Sequence, residues 1–278
     1  MIPSFERPAS VAEATRLLAA GSWLPIAGGT DLYPAHVGRP LARPLLDLSG
    51  IEGLRGIRAD ASGWTLGATT TWSDILRADL PPLFDGLKAA AREVGGVQIQ
   101  NTGTVAGNVC NASPAADGVP ALLALDAEVR LQSARGERRL PLADFVLGNR
   151  RTARRDDELV VALHLRARGP RARSAFLKLG GRRYLVISIT MVAAAIDVDA
   201  DGRVAWAAVA VGSCAARAQR LPALEARLVG RRPAELSACG RPSDLSPLSP
   251  LDDLRASAAY RLESTLVLVR RALQALAA

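Results

Sequence analysis

Residues 101–117, N-T-G-T-V-A-G-N-V-C-N-A-S-P-A-A-D, form a polar run with two glycines just ahead of the apolar segment Val119–Ala127. Gly103 and Gly107 permit positive φ and the close approach of another atom, so successive N–H groups there can converge on one anion. Because backbone polar groups need partners, a run this polar should lie at the surface or against a polar ligand. The run therefore predicts a phosphate-binding loop.

A second run of the same chemistry, A-G-G-T-D-L-Y-P at residues 27–34, follows the short apolar segment Trp23–Ile26. Gly28 and Gly29 give it two adjacent flexible amides. Neither run matches the G-x-G-x-x-G fingerprint or the G-x-x-x-x-G-K-[ST] loop, so a standard Rossmann or P-loop site is not supported. Two separate glycine loops suit a diphosphate better than one loop would. Ordinary turns remain the alternative, since glycine clusters are the commonest turn signal.

The composition is typical of a globular protein with two or three compact units, since 49% of its 278 residues are hydrophobic. Its net charge of +8 comes almost wholly from scattered arginines, and Lys88 and Lys178 are the only lysines. Because no reader motif or aromatic-basic stripe accompanies this charge, we expect no nucleic-acid partner.

The remaining residue types restrict the cofactors and the location. Cys110, Cys214 and Cys239 stand apart, which excludes an iron–sulfur cluster or zinc site of the usual cysteine spacing. Two histidines are too few for a metal centre, so we expect no bound metal. The longest apolar run, Leu185–Ile196, is shorter than the roughly 20 residues that cross a bilayer. Since the N-terminus also lacks a signal-peptide pattern, we expect a cytoplasmic protein without a membrane span.

Hydrophobic periodicity predicts an alternation of short strands and helices. A helix capped by Ser10 lies near the N-terminus, and Ile57–Ala68 form a hairpin. Gly169-Pro170 is the strongest candidate for a domain boundary, and Asp199–Gly202 join two strands beyond it. The basic interval Arg150–Arg155 is predicted to be a solvated connection. Further helices are predicted at 83–94, 119–126, 221–229 and 251–277, and strands at 23–26, 45–48, 128–131, 159–165, 185–198 and 204–211.

These motifs, taken in order, resemble the flavin-binding medium subunit of the xanthine dehydrogenase and carbon monoxide dehydrogenase family, the molybdenum hydroxylases. That family has an A-G-G-x-[ST/D] loop and a T-[IV]-[GA]-G-N loop that continues into N-A-S-P-x-x-D. Here the elements are Ala27–Asp31, Thr104–Asn108 and Asn111–Asp117. The similarity continues through Phe176–Lys178 with Arg182-Arg183, and through Asp252–Ser257 with Tyr260-Arg261. It therefore spans nearly the whole chain.

The resemblance implies an α+β fold. A two-part FAD-binding domain of the PCMH type, made of a small β-α-β unit and a mixed sheet with helices, would precede a C-terminal antiparallel sheet with helices. The implied bounds are 1–170 for the FAD-binding domain, with subdomains 1–55 and 56–170, and 171–278 for the C-terminal flavoprotein domain.

The resemblance also implies an oxidoreductase subunit whose cofactor is FAD. Electrons would arrive from an iron–sulfur small subunit, after a molybdopterin large subunit has oxidised the substrate, and would leave to an external acceptor. Paired heterotrimers are the common assembly in the family. The substrate stays open, and so does the acceptor among nicotinamide, quinone and oxygen.

The resemblance assigns site residues one by one. Lys178 matches a lysine beside the pyrimidine edge of the flavin, where a fixed cation would stabilise the reduced ring and so act in catalysis. Tyr184 is a candidate for stacking on the isoalloxazine or for simple packing, and Ser113 and Asp117 for holding the ribityl chain or capping a helix. Val186-Ile187 replace the acidic-apolar pair that often follows in the family. The other implied FAD-binding residues are Ala27, Gly28, Gly29, Thr30, Asp31, Thr102, Gly103, Thr104, Ala106, Gly107 and Asn108.

Two alternatives to the subunit hypothesis stay open. A stand-alone flavin oxidoreductase would need its own acid or base near the flavin and would turn over a substrate when purified alone. A non-catalytic, arginine-rich binding module would purify colourless. Absorption in the yellow flavin bands separates this second alternative from the other two hypotheses.

Overall fold

The computed structural model of the chain describes residues 4–277. The ends of the predicted domains, residues 1–3 and 278, lie outside this range. The strands are β1 (Phe5–Glu6), β2 (Leu24–Ile26), β3 (Leu45–Asp47), β4 (Ile57–Asp60), β5 (Gly63–Gly67), β6 (Glu128–Ser133), β7 (Gly136–Pro141), β8 (Val146–Gly148), β9 (Arg151–Thr152), β10 (Leu159–Arg166), β11 (Arg173–Gly180), β12 (Ser188–Val198), β13 (Val204–Gly212) and β14 (Gln219–Arg220). The α-helices are α1 (Val11–Ala20), α2 (Leu32–Ala35), α3 (Trp72–Arg77), α4 (Asp85–Glu93), α5 (Val97–Thr102), α6 (Val105–Asn111), α7 (Gly118–Ala124), α8 (Leu142–Phe145), α9 (Pro222–Leu228) and α10 (Ala258–Ala275). Short 3-10 helices cover Leu48–Gly50, Pro82–Phe84, Pro233–Cys239 and Pro242–Leu245.

The N-terminal unit is a small parallel sheet in the order β1-β3-β2, and α1 connects β1 to β2. Ser10 caps α1 by accepting a hydrogen bond from the Glu13 N–H, and the Glu13 carboxylate accepts one from the Ala9 N–H. These bonds satisfy amides that have no partner inside the helix. The β-α-β unit predicted from the sequence is therefore present.

The second unit is a five-stranded sheet in the order β4-β5-β10-β6-β7, with α3–α7 beside it. Each of these pairs is antiparallel, where the resemblance implied a mixed sheet. The predicted hairpin at Ile57–Ala68 is confirmed as β4 and β5. The prediction from the sequence lacked β7, whose residues are mostly exposed and charged and so give no apolar alternation.

The third unit is an antiparallel sheet in the order β11-β12-β13-β14 between two helical layers. Along β12, Met191 and Ala193 pack into the core shared with the second unit, while Val192 and Ala194 pack into the core formed with α9 and α10. Side chains alternate between the faces of a strand, so both faces of β12 are buried. The α+β class is confirmed.

Three details of the third unit differ from the prediction. The first strand of the predicted pair begins at Ser188 rather than at Leu185, and β11, which holds Lys178, had no prediction. The last helix begins at Ala258, because Ser257 caps it by accepting a hydrogen bond from the Tyr260 N–H. Among residues 4–277, no helix has both the length and the apolar character that crossing a membrane requires.

Candidate functional site

A cavity of about 830 Å³ opens between the N-terminal unit, helices α5 and α6, and the β8–β9 hairpin. Residues 24–32 line one wall and residues 103–117 another, while residues 93–99 and 185–187 complete it. The structure therefore brings together the two glycine runs, which are about 75 residues apart in the sequence.

The first glycine run is a turn between β2 and α2. Gly29 has φ +67°, a left-handed conformation that favours glycine. A Cβ atom on Gly28 would lie 2.0 Å from the carbonyl oxygen of Thr102, so only glycine allows the two runs to touch. Within residues 4–277, no backbone carbonyl accepts a hydrogen bond from the N–H groups of Gly28, Gly29 or Thr30. The turn thus offers neighbouring donors to the cavity.

The second glycine run is mostly helical, which corrects the predicted loop. Helix α5 ends at Thr102, Gly103 has φ −64°, and α6 begins after Thr104, whose hydroxyl accepts from the Gly107 N–H at 3.0 Å. Positive φ is therefore not the reason for Gly103 or Gly107. A Cβ on Gly103 would lie 2.9 Å from the Ile99 carbonyl, and one on Gly107 would lie 2.7 Å from the Thr104 hydroxyl, so close approach explains both glycines.

Asn108 lines the cavity and carries an unpaired acceptor. Its Oδ1 atom is buried on the side of Gly118 and has no hydrogen-bond partner among the described residues. Leaving such an acceptor unpaired costs on the order of 1–3 kcal/mol.

Asp117 lies at the far end of the second run and is held by a buried network. Its carboxylate accepts from Lys178 Nζ at 2.8 Å and from the Ser188 hydroxyl at 2.6 Å. Glu93 lies beside the same lysine, at 3.8 Å. Burial raises the pKa of Asp117, and the contact with Lys178 opposes that rise. Asp117 stands at the N-cap of α7 but its side chain accepts no capping hydrogen bond, so the helix-capping alternative is wrong for Asp117.

Most predicted site residues line this one cavity, and three do not. Thr102 contributes its carbonyl to the contact with Gly28, and its hydroxyl donates to Gln98. Lys178 lies behind Asp117, and the side chain of Tyr184 is 65% exposed, with its hydroxyl accepting from Arg183. The predicted residues that line the cavity are Ala27, Gly28, Gly29, Thr30, Asp31, Gly103, Thr104, Ala106, Gly107, Asn108, Ser113 and Asp117.

Two lining arginines come from the interval predicted to be a solvated connection. Arg150 is exposed as predicted, whereas the Arg154 side chain is only 19% exposed, so the prediction is wrong for Arg154. Arg150 donates to the Asn111 side chain, and Arg154 donates to the Glu158 carbonyl at 2.8 Å. The turn signal Gly148-Asn149 could have indicated a hairpin here, but not which arginines face inward. Burial raises the pKa of the nearby Cys110 thiol to about 11, which keeps it protonated and unreactive at neutral pH.

The comparisons with protein families cover nearly the whole chain. The family described as the FAD binding domain in molybdopterin dehydrogenase matches residues 3–166. The family described as the CO dehydrogenase flavoprotein C-terminal domain matches residues 175–276. The two matches follow each other along the chain in the order of its structural units.

Individual proteins are similar over comparable lengths. The nicotinate dehydrogenase FAD-subunit of Eubacterium barkeri is 34% identical over 226 residues, covering 77% of this chain and 74% of that protein. The carbon monoxide dehydrogenase medium chain of Hydrogenophaga pseudoflava is 30% identical over 288 residues, covering 99% of this chain and 98% of that protein.

Solved structures share the fold. A carbon monoxide dehydrogenase chain from Hydrogenophaga pseudoflava superposes with a TM-score of 0.85 at 27% identity, covering 99% of this chain and 98% of that one. Quinoline 2-oxidoreductase from Pseudomonas putida 86 also gives 0.85, over 99% of this chain and 96% of that one. The two sequences are 24% identical, so this match shows the fold alone.

Proposed function

The chain belongs to the family of FAD-binding medium subunits of the xanthine and carbon monoxide dehydrogenases, as its motifs imply, and from this premise we propose its role. It takes electrons from an iron–sulfur partner subunit and passes them, through FAD, to an external acceptor. The contact between the two glycine runs at a single cavity is the observation that supports this role best.

The donors and acceptors of the cavity fit a flavin dinucleotide. The N–H groups of Gly28, Gly29 and Thr30 would donate to diphosphate oxygens, as consecutive amides do in anion-binding turns. Gly107 lines the cavity, and its lack of a side chain would let the diphosphate approach helix α6. The Asn108 side chain, which lines the cavity, would form a hydrogen bond with a polar group of the cofactor.

Asp117 and Lys178 would act together at the flavin end of the cavity. Asp117 accepts hydroxyl protons of the ribityl chain without needing an ionic partner there, because Lys178 already balances its charge. Lys178 thereby orients Asp117 and opposes the rise in its pKa that burial causes. We also propose that the Lys178 ammonium favours the reduced isoalloxazine. A lower flavin midpoint potential in Lys178→Met would support this role, and an unchanged midpoint potential would contradict it.

Ser113 and Tyr184 have smaller proposed parts. Ser113 lines the cavity close in sequence to Asp117 and would donate to the ribityl chain. Tyr184 lies in the exposed segment that leads to Leu185–Ile187, at the cavity edge, and would cover the isoalloxazine only if this segment moves inward.

Bound FAD supplies the redox centre, since a flavin accepts electrons singly and releases them in pairs. Residues of this chain bind it and orient it. We propose that the iron–sulfur small subunit and the molybdopterin large subunit join this chain in a heterotrimer located in the cytoplasm. That assembly follows the division of labour in the family.

The test uses the purified chain and its co-expressed partner subunits. The FAD-loaded chain should oxidise the chemically reduced iron–sulfur subunit in a stopped-flow experiment followed in the flavin bands. Alone, it should show little turnover beyond transfer to an artificial acceptor. Efficient oxidation of an organic substrate by the isolated chain would instead support a stand-alone flavin oxidoreductase, and a colourless chain that takes up no FAD would contradict both.

A further inference from the structure

Charged side chains are distributed unevenly around the cavity. Asp31, Glu93 and Asp117 contribute carboxylates, and Arg150 and Arg154 are the arginines or lysines that line it among residues 4–277. Lys178 balances Asp117 and contacts Glu93 from behind the wall, so its charge is already engaged. The formal positive charges that a dianionic diphosphate would meet in this cavity are therefore those of the two arginines.

Both arginines lie beside the face of helix α6 that carries Gly107. Residues three or four apart share one face of a helix, so Gly107, Cys110 and Asn111 are neighbours within one turn of about 5.4 Å. Arg150 donates to the Asn111 side chain, and the charge of Arg154 acts on the Cys110 thiol. The guanidinium groups thus stand about one turn from the position where the diphosphate would approach.

The two arginines differ in how firmly they are held. The Arg154 side chain is 19% exposed and is fixed by the Glu158 carbonyl at 2.8 Å. Arg150 is exposed at the hairpin tip, and among the described residues its guanidinium bonds only to Asn111. Its backbone has φ +56°, a conformation that is costly for a residue with a side chain.

We propose that Arg150, supported by Arg154, binds the diphosphate of FAD. This inference rests on the proposed function. The planar guanidinium donates through two parallel N–H groups, which match two phosphate oxygens, while the Gly28–Thr30 amides supply partial charge from the opposite side. Arg150 exchanges its bond to Asn111 for the phosphate when FAD enters.

The test compares FAD binding to apo proteins, measured by quenching of flavin fluorescence. Arg150→Gln deletes the charge and keeps the length of the side chain. Arg151→Gln is the matched control, because Arg151 is the exposed neighbour on the same hairpin and does not line the cavity. Hydrogen bonds to a charged group contribute about 1.5–3 kcal/mol, so Arg150→Gln should weaken FAD binding about 10- to 100-fold, and Arg151→Gln should not.

Salt dependence and a second variant separate recognition from a structural effect. The difference between wild type and Arg150→Gln should shrink as salt rises, because the contact is partly exposed to solvent. Arg150→Lys should recover part of the affinity, since it keeps the charge and loses the planar fork. All three variants should unfold at the same temperature as the wild-type apo protein.

If Arg150→Gln binds FAD as tightly as Arg151→Gln at every salt concentration, the assignment of Arg150 is wrong and the proposed function stands. If the wild-type chain itself binds no FAD, the proposed function fails first. A loss of affinity that is equal in Arg150→Gln and Arg150→Lys and independent of salt would show a packing role instead of charge recognition.

Discussion

Lys178→Met should destabilise the apo protein by about 3–5 kcal/mol at neutral pH, the usual cost of removing one partner from a buried ion pair. The Lys178 and Asp117 side chains are only 6% and 10% exposed, and their charged atoms lie 2.8 Å apart. At that distance and an effective dielectric constant of about 20, their gross attraction is roughly 6 kcal/mol. Methionine keeps the aliphatic length but leaves the Asp117 carboxylate, among residues 4–277, with Ser188 as its one hydrogen-bond donor.

The loss should depend on pH in a defined direction. Burial already raises the pKa of Asp117 above its ordinary value of 3.8, and removing Lys178 deletes the main opposing cause. A carboxyl group with a raised pKa in the folded state favours folding below its unfolded pKa, and this contribution disappears as pH rises through the folded pKa. The deficit of Lys178→Met should therefore be smallest in acid and largest above neutrality.

Urea unfolding of the apo proteins at several pH values measures this effect, with Lys88→Met as the control at the only other lysine. The double variant Lys178→Met/Asp117→Asn should be more stable than Lys178→Met, because it no longer buries an unpaired carboxylate. A deficit that is the same at every pH, or a double variant no more stable than the single one, would refute the ion-pair account.

Two further changes test the turn and the C-terminal unit. Gly28→Ala should abolish FAD binding, since its Cβ would lie 2.0 Å from the Thr102 carbonyl oxygen and would push the two glycine runs apart. An FAD dissociation constant equal to that of the wild type would show that this contact is not part of the site. Hydrogen bonds from the Arg255 N–H and from the buried Arg261 side chain lower the pKa of Asp253 from 3.8 to about 2, so its stabilising contribution is present above about pH 4 and is lost as pH falls toward 2. Acid unfolding of Asp253→Asn should show a stability difference from wild type that vanishes over that interval, and a constant difference would contradict the assignment.

Caps and turns were the elements that the sequence predicted correctly. Ser10 caps its helix as expected, and the turn at Asp60–Gly63 joins the expected hairpin, because caps and turns depend on neighbouring residues. The glycine runs were correctly singled out. Of the two reasons expected for Gly107, positive φ is wrong and close approach is right, because its Cβ would crowd the hydroxyl of Thr104 three residues earlier.

The parts that the sequence did not predict depend on contacts between distant segments. Lys178 meets Asp117 only because β11 packs near the start of α7, although 61 positions separate the two residues. Arg150 and Arg154 line the cavity, although Arg150 is also exposed at the hairpin tip, while Arg151 and Arg155 beside them do not line it. A run of like charges gives no sign of which members face inward. The FAD-binding residues and domain bounds taken from the family remain predictions for this chain.

The central claim is that FAD binds across the two glycine runs, and its most direct test is an FAD titration of Gly107→Val. The valine side chain would enter the space beside the Thr104 hydroxyl, because a Cβ atom on residue 107 would lie 2.7 Å from the hydroxyl oxygen. Gly240→Ala is the control, since Gly240 does not line the cavity and its Cβ would meet mainly the flexible Arg270 side chain. Equilibrium dialysis should find a single FAD on each wild-type and Gly240→Ala chain and none on folded Gly107→Val. Full FAD occupancy of Gly107→Val, with wild-type affinity, would contradict the account.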